Sequence, residues 1–168
     1  MLVDINKISG KGLLLDDSVE LDENMLIEDG SFFLGDIAYN IFLKREGSQV
    51  KAKGRIITSV SLLCVYCLEQ FEMKINSKFD IILFPGDLVD LNKALNPDEM
   101  EYIFYEGDKI DLSKILMEQV NLFIPFNPMC SPDCKGICPN CGINLNYHQC
   151  KCENSLNSMN FLFNNITR

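Results

Sequence analysis

The chain has 168 residues, with 15 basic and 24 acidic side chains, a formal net charge of -9, and 47% apolar against 23% charged residues. That length suits one compact domain and is too short for a full α/β barrel of about 250 residues, while the apolar share excludes wholesale disorder. No run of about 18 uninterrupted apolar residues offers a membrane span. Asp4 interrupts the place where a signal peptide needs its apolar stretch, so a cytoplasmic location is expected. An acidic chain also argues against diffuse, charge-driven nucleic-acid binding.

The charge is uneven. Asp16 to Asp29 holds seven acids and no base, and Asp87 to Asp111 holds eight acids against Lys93 and Lys109. Between them, Lys44, Arg45, Lys51, Lys53 and Arg55 face Glu46 alone. Such runs are either solvated faces or a docking surface for a basic protein or a short RNA element.

The first half reads as β. Phe32 to Leu43 forms a strand that turns at Glu46-Gly47-Ser48. Apolar or small residues then recur at every second position: Val50, Ala52, Gly54, Ile56, Thr58, Val60, Leu62 and Cys64. Phe71, Met73, Ile75, Ser77, Phe79, Ile81 and Leu83 keep the same period, which buries one face and wets the other. Cys64-Val-Tyr-Cys67 joins the two runs as the tip of an antiparallel hairpin, and Pro85-Gly86 ends the sheet region. Asn96-Pro97-Asp98-Glu99 carries the signals of a short helical turn. Asp111 then caps a helix at about 111–123, where Leu112, Ile115, Leu116, Val120 and Phe123 share one stripe until Pro125 stops the run. That stripe reads as core, with Lys114 and Glu118 on the wet side.

Eight cysteines follow a pattern. Cys64 and Cys67 lie in the hairpin, and Cys130, Cys134, Cys138, Cys141, Cys150 and Cys152 fall within 23 residues as C-x3-C-x3-C-x2-C-x8-C-x-C. In a reducing compartment such a cluster holds metal rather than disulfides. Cys138-Pro-Asn-Cys141-Gly142 is a knuckle: two intervening residues let both sulfurs face one ion, and the glycine eases the turn. Cys150 and Cys152 can complete a site of four thiolates, leaving Cys130 and Cys134 to join Cys64 and Cys67 across space. The competing arrangement is one site built from the C-terminal cluster alone, with a separate weak or vacant hairpin pair. Zinc, as one or two ions each held by four cysteines, is the expected cofactor. A structural site of this kind contributes roughly 10–16 kcal/mol in apparent binding energy, most of it as folding energy, to a segment with few large apolar residues.

Other chemistries fit less well. Cys134 to Cys141 spells the C-x3-C-x2-C of radical-SAM enzymes, but the chain is too short for their barrel. A thioredoxin-like role for Cys64 and Cys67 needs a helix to follow, and a strand follows instead. His148 is the single histidine and reads as an exposed loop residue, which leaves no Ser-His-Asp or Cys-His set outside the cluster. No Gly-rich phosphate loop is present, so neither an enzyme nor a small-molecule site is expected.

Asp111-Leu112, Glu118-Gln119, Leu122, Pro125, Cys130, Cys134-Lys-Gly, Cys138-Pro-Asn-Cys141-Gly, Asn144-Leu-Asn146 and Cys150-Lys-Cys152 together resemble the YceD family, the large ribosomal RNA subunit accumulation proteins of bacteria and plastids. Cys64-Val-Tyr-Cys67-Leu-Glu69 is similar to that family's Cys-x-Arg-Cys-Leu-Glu, with Tyr66 in place of arginine. After Cys152 the chain departs from the family's usual Asp-Pro-Arg continuation. The resemblance implies a part in making or preserving large-subunit ribosomal RNA. The partner would be a basic ribosomal protein or a pre-ribosomal particle, with direct RNA contact through Lys44, Arg45, Lys51, Lys53 and Arg55 as the alternative. A thiol redox or iron–sulfur protein is the third reading.

The fold expectation is α+β: a β-rich antiparallel sheet, open or closed into a barrel, one main helix and a Cys-rich metal-binding C-terminal segment. Residues 1–152 would form a single domain, mainly β over 1–86 and with zinc knuckles over 130–152, and 153–168 would form a tail.

Overall fold

The computed structural model describes residues 1–22, 26–86 and 101–152. In chain order the strands are β1 (Leu2–Asp4), β2 (Leu13–Val19), β3 (Phe32–Phe33), β4 (Ile37–Glu46), β5 (Gln49–Leu63), β6 (Gln70–Pro85), β7 (Glu101–Tyr105) and β8 (Lys109–Asp111), followed by helix α1 (Leu112–Asn121). A six-stranded sheet has the order β2-β4-β5-β6-β7, with β3 also paired to β5, and β1 and β8 form a separate ribbon. All pairings are antiparallel except β6 with β7, which is parallel. The sheet is mixed and open, with β2 and β7 as its edges, so the barrel alternative does not hold. Its inner face is covered by α1, Ile5 and Ile8 instead of by its own curling.

The period-two pattern builds the center of the sheet. Val50, Ala52, Ile56, Thr58, Val60 and Leu62 on β5, and Ile75, Ser77, Phe79, Ile81 and Leu83 on β6, are all buried. The ladder sets large residues beside small ones: Ala52 faces Ile81, Gly54 faces Phe79, and Ile56 faces Ser77. At Gly54 an added Cβ would lie 2.6 Å from Phe79 Cζ and 3.0 Å from the Asn40 carbonyl, so the Phe79 ring occupies that space. On β4, Ile37, Tyr39, Ile41 and Leu43 are buried in alternation with exposed neighbors. The β4–β5 connection is a two-residue turn in which Gly47 takes φ +67, a conformation suited to tight hairpins.

Several sequence expectations need correction. The strand expected over 32–43 is two strands, because the ladder breaks at Leu34–Asp36: Phe32 and Phe33 pair with Ser61 and Val60 of β5, and pairing with β5 resumes at Ala38 opposite Ile57. The sheet does not end at Pro85-Gly86: β7 returns alongside β6, and the Tyr105 hydroxyl donates to the Ser48 carbonyl at 3.1 Å. β1, β2 and β8 are too short or too acidic to show a period. The turn expected at 96–99 lies outside the described residues.

Helix α1 starts as expected, with the Asp111 carboxylate accepting from the Ser113 N–H at 3.0 Å, but it ends at Asn121 instead of 123. Leu112, Leu116, Val120 and Ile124 are buried while Phe123 is 44% exposed. The reason is local. The amides of Phe123 and Ile124 donate to carbonyls three residues back, Val120 and Asn121, so the regular α-helical ladder has ended there and its spacing no longer sets which of the two faces the core. No helix among the described residues is long and apolar enough to cross a membrane.

Replacing Leu116 with alanine should therefore cost about 2–5 kcal/mol, whereas Phe123→Ala should change stability by less than about 1 kcal/mol. Urea unfolding of both variants checks this.

Candidate metal centers

The β5–β6 hairpin projects past the helix, and its tip is a knuckle. Cys64, the last inward-facing position of the β5 alternation, donates its N–H to the Glu69 carbonyl at 2.9 Å, and the Leu68 N–H returns to the Cys64 carbonyl at 2.9 Å. Cys138 to Ile143 repeats the turn: the Cys138 N–H meets the Ile143 carbonyl at 2.8 Å and the Gly142 N–H meets the Cys138 carbonyl at 2.8 Å. The residue after each second cysteine is left-handed, Gly142 at φ +71 and Leu68 at φ 59. A glycine accepts this without strain, whereas a leucine does not.

The C-terminal segment is stitched onto that tip. Val65 donates to the Pro128 carbonyl at 3.0 Å, and Ile137 donates to the Tyr66 carbonyl at 3.0 Å. Gly136 has φ +70, and a Cβ there would sit 3.0 Å from the Tyr66 carbonyl oxygen, so both the conformation and the close approach call for glycine.

This places the eight cysteines in two quartets: Cys64, Cys67, Cys130 and Cys134, and Cys138, Cys141, Cys150 and Cys152. Within each, the sulfurs lie within 4.8 Å of one another. The separations include Cys64–Cys134 at 3.8 Å, Cys67–Cys130 at 3.7 Å, Cys141–Cys150 at 3.6 Å and Cys138–Cys150 at 3.3 Å. All eight are free thiols; these separations are far beyond a disulfide bond of about 2.05 Å. A tetrahedral ion with metal–sulfur bonds of about 2.3 Å has sulfur–sulfur edges of about 3.8 Å. The quartets fit one such ion each, and sulfurs so close leave no room for a cluster of several irons between them. Cys64 and Cys67 thus stand beside Cys130 and Cys134 and are not separate from the C-terminal cluster. Cys64, Cys67 and Cys138 are buried, whereas Cys130, Cys141 and Cys152 are exposed.

Electrostatics within each quartet are divided. Burial raises the Cys64 thiol, but N–H groups of Cys130, Cys67 and Tyr66 aimed at its sulfur bring it down to about 6. Those of Asn140 and Cys141 hold Cys138 at about 6. Desolvation and the neighboring sulfurs of Cys134, Cys67 and Cys64 push Cys130 up to about 12, and Cys150 and Cys141 do the same to Cys152. The Asn146 side chain, donating to the Cys134 sulfur at 3.4 Å, is the main cause that lowers that thiol. Four negative sulfurs this close repel one another, and a divalent cation at the center reverses that balance.

His148 is exposed, as expected, and its backbone N–H meets the Asn144 carbonyl at 3.1 Å. The basic group lies elsewhere: Lys44, Arg45, Lys51, Lys53 and Arg55 sit roughly 30–45 Å along the hairpin from Cys64. Three of its five cations are ion-paired, to two carboxylates between them. Lys44 and Lys51 share Glu46 at 2.9 Å each, and Lys53 pairs with Asp80 at 2.6 Å. Hydrogen bonds from Lys51 and then Lys44 hold the Glu46 carboxyl near 2. Arg55 donates to Asn76 at 2.7 Å and Arg45 to the Gly47 carbonyl at 3.3 Å. Sequence reasoning missed Lys78, which stands directly opposite Arg55 across the ladder, although its place at a polar position of the β6 alternation was a usable signal. It also gave no role to Asn144 or Asn146.

Residues 52–162, more than half of the chain, match the family described as "Large ribosomal RNA subunit accumulation protein YceD". Uncharacterized proteins of Mycobacterium bovis and of two strains of Mycobacterium tuberculosis are 50% identical over 30 residues, 18% of this chain and 14% of each relative's length. No solved structure matches.

Two outcomes follow from the geometry. Leu68→Gly should raise stability by about 1 kcal/mol by removing left-handed strain, while Gly136→Ala should lower it and loosen the Cys130–Cys152 segment, as read by thermal unfolding and limited proteolysis. Because Cys130 and Cys152 stay protonated up to about 12 without metal, metal binding near pH 7.5 should release protons, and apparent affinity should rise with pH. Calorimetry in buffers of different ionization enthalpy measures that release.

Proposed function

Because the chain belongs to the YceD family of large ribosomal RNA subunit accumulation proteins, we propose that it is a non-catalytic, zinc-stabilized cytoplasmic factor that supports ribosome assembly by binding a ribosomal component. The observation that carries the metal part is the pair of four-sulfur groups, each with all its sulfurs within 4.8 Å. Tetrahedral all-sulfur sites favor zinc among common divalent ions. Four thiolates around an ion leave no open position for a water or substrate, so the metal would hold residues 130–152 to the hairpin tip and do no chemistry. Residues 1–152 would act as one domain carrying that segment.

The partner we favor is a basic ribosomal protein. Glu20, Asp22 and Asp36 line one groove with Leu21 and Phe33, and the adjoining β2 is an open edge carrying Asp16 and Asp17. A basic segment would find there both charge and a strand edge to pair with. One observation favors RNA as a second reading: Arg55 faces Lys78 across the β5–β6 ladder, a like-charge pair that a phosphate would relieve.

Charge reversal separates the two. Glu20→Lys with Asp36→Lys should abolish co-sedimentation with large-subunit precursors if a basic protein is the partner, and Arg55→Glu with Lys78→Glu should do so if RNA is. Neither variant changing it would sink both surfaces. Depletion in the host should reduce large-subunit ribosomal RNA relative to the small subunit, and an unchanged subunit profile would overturn the assembly role. Protein purified without chelator should carry two zinc ions, and loss of metal on Cys138→Ser should leave 130–152 open to protease.

A further inference from the structure

The two cysteine quartets are joined by more than the chain that links them. Residues 136–138 and 143–145 form a minimal hairpin: Ile137 bridges Asn144, the Leu145 N–H meets the Gly136 carbonyl at 2.9 Å, and the Cys138 N–H meets the Ile143 carbonyl at 2.8 Å. Its tip is the knuckle of the second quartet. Its returning arm carries Asn144 and Asn146, and both reach back to the first quartet. The Asn146 amide oxygen accepts from the Lys135 N–H at 2.8 Å, while its nitrogen donates to the Cys134 sulfur at 3.4 Å and to the Asn144 side-chain oxygen at 3.0 Å. Asn144 in turn donates from its side-chain nitrogen to the Glu69 carboxylate, beside the Cys64–Cys67 knuckle, at 3.4 Å.

A two-stranded hairpin this short does not hold its shape in water unaided. What closes it is the junction of Cys138 and Cys141 at its tip with Cys150 and Cys152 beyond its returning arm. The arm has fixings of its own, Ile137 to Tyr66, Lys135 to Asn146 and Asn144 to Glu69, and closure of the second quartet adds to its seating against Cys134.

We infer that Asn146 couples the two quartets: metal at Cys138, Cys141, Cys150 and Cys152 strengthens metal binding at Cys64, Cys67, Cys130 and Cys134 by seating the Asn146 amide on the Cys134 sulfur. This rests on the metal reading proposed above. Asn146 is a positioning residue, since it touches a ligand atom and not the ion. Outer partners of this kind are worth about 10–100-fold in metal affinity, and the coupling is reciprocal, so the first site tightens the second by the same factor.

The test uses the full chain loaded with zinc. Affinity is read by competition with a chromophoric chelator, and the site that empties is identified by mass spectrometry of alkylated thiols. Asn146→Ala should weaken the first quartet about tenfold and speed alkylation of Cys64, Cys67, Cys130 and Cys134. Cys150→Ser with Cys152→Ser, which opens the second quartet, should weaken the first by a similar factor. Combining all three should cost little more than either change alone. Losses that multiply to about a hundredfold, or an unchanged first quartet in Asn146→Ala, would overturn the coupling while leaving two metal sites standing. Should the serine variant retain no metal at all, Asn146→Ala alone decides: because the coupling is reciprocal, it should also speed metal loss from Cys138, Cys141, Cys150 and Cys152, and a second quartet that holds its metal as in wild type overturns the coupling. Wild-type protein holding fewer than two ions would overturn the metal reading, and the coupling with it.

Discussion

The β5–β6 ladder runs in register from Val50 opposite Leu83 to Leu63 opposite Gln70, and the positions of the other elements depend on it. Its inward residues supply the middle of the core, its outer strands add β4 and β7, and its free end carries Cys64 and Cys67 beyond the helix. The alternation that buries Leu62 also buries Cys64. A one-residue slip would turn that sulfur outward along with the whole apolar row. Core packing and placement of the first pair of sulfurs are thus one constraint.

The segment after α1, residues 122–152, depends on that tip. Its own contribution to the apolar core is small: Ile124 belongs to the core cluster, whereas Phe126, Met129 and Tyr147 are exposed. What holds it are backbone bonds from Val65 to Pro128 and from Ile137 to Tyr66, together with the sulfurs. The two knuckles make the same turn with different residues at the left-handed position. At Leu68 the surrounding bonds enforce a conformation that glycine adopts freely at Gly142. Strain of that kind persists only where neighboring structure over-determines the backbone, and the docked C-terminal segment is that structure.

Charge is arranged on a different part of the molecule from the sulfurs. The basic run on β4 and β5 does not present five free cations, because Glu46 and Asp80 sit among them. What the surface keeps is an acidic β2 edge and the Arg55–Lys78 pair, which lie in one cross-strand row, Asp16 opposite Asn40, Asn40 opposite Arg55 and Arg55 opposite Lys78. In a chain of net charge -9, charges of both signs thus share one face of the sheet.

Much of this was legible in the residues themselves. The period-two runs at 50–64 and 71–83, the Asp111 cap and the C-x2-C spacings are short-range patterns, set by backbone geometry within a few residues, and the strands, helix start and knuckles follow from them. The metal-type cluster was legible for the same reason. Long-range choices were not. Nothing in the local pattern of 101–105 says that it lies parallel to β6, or that the sheet stays open because α1, Ile5 and Ile8 cover its inner face. The end of α1 escaped as well, since Phe123 and Ile124 are equally apolar and the α-helical spacing that would choose between them stops at Asn121. The same division holds at the sulfurs. Sequence determined that eight cysteines form a thiol-rich, metal-type set; which of them share a center was decided by the hairpin tip meeting the C-terminal segment, because sulfurs some 70 residues apart, such as Cys64 and Cys134, come together only through the fold.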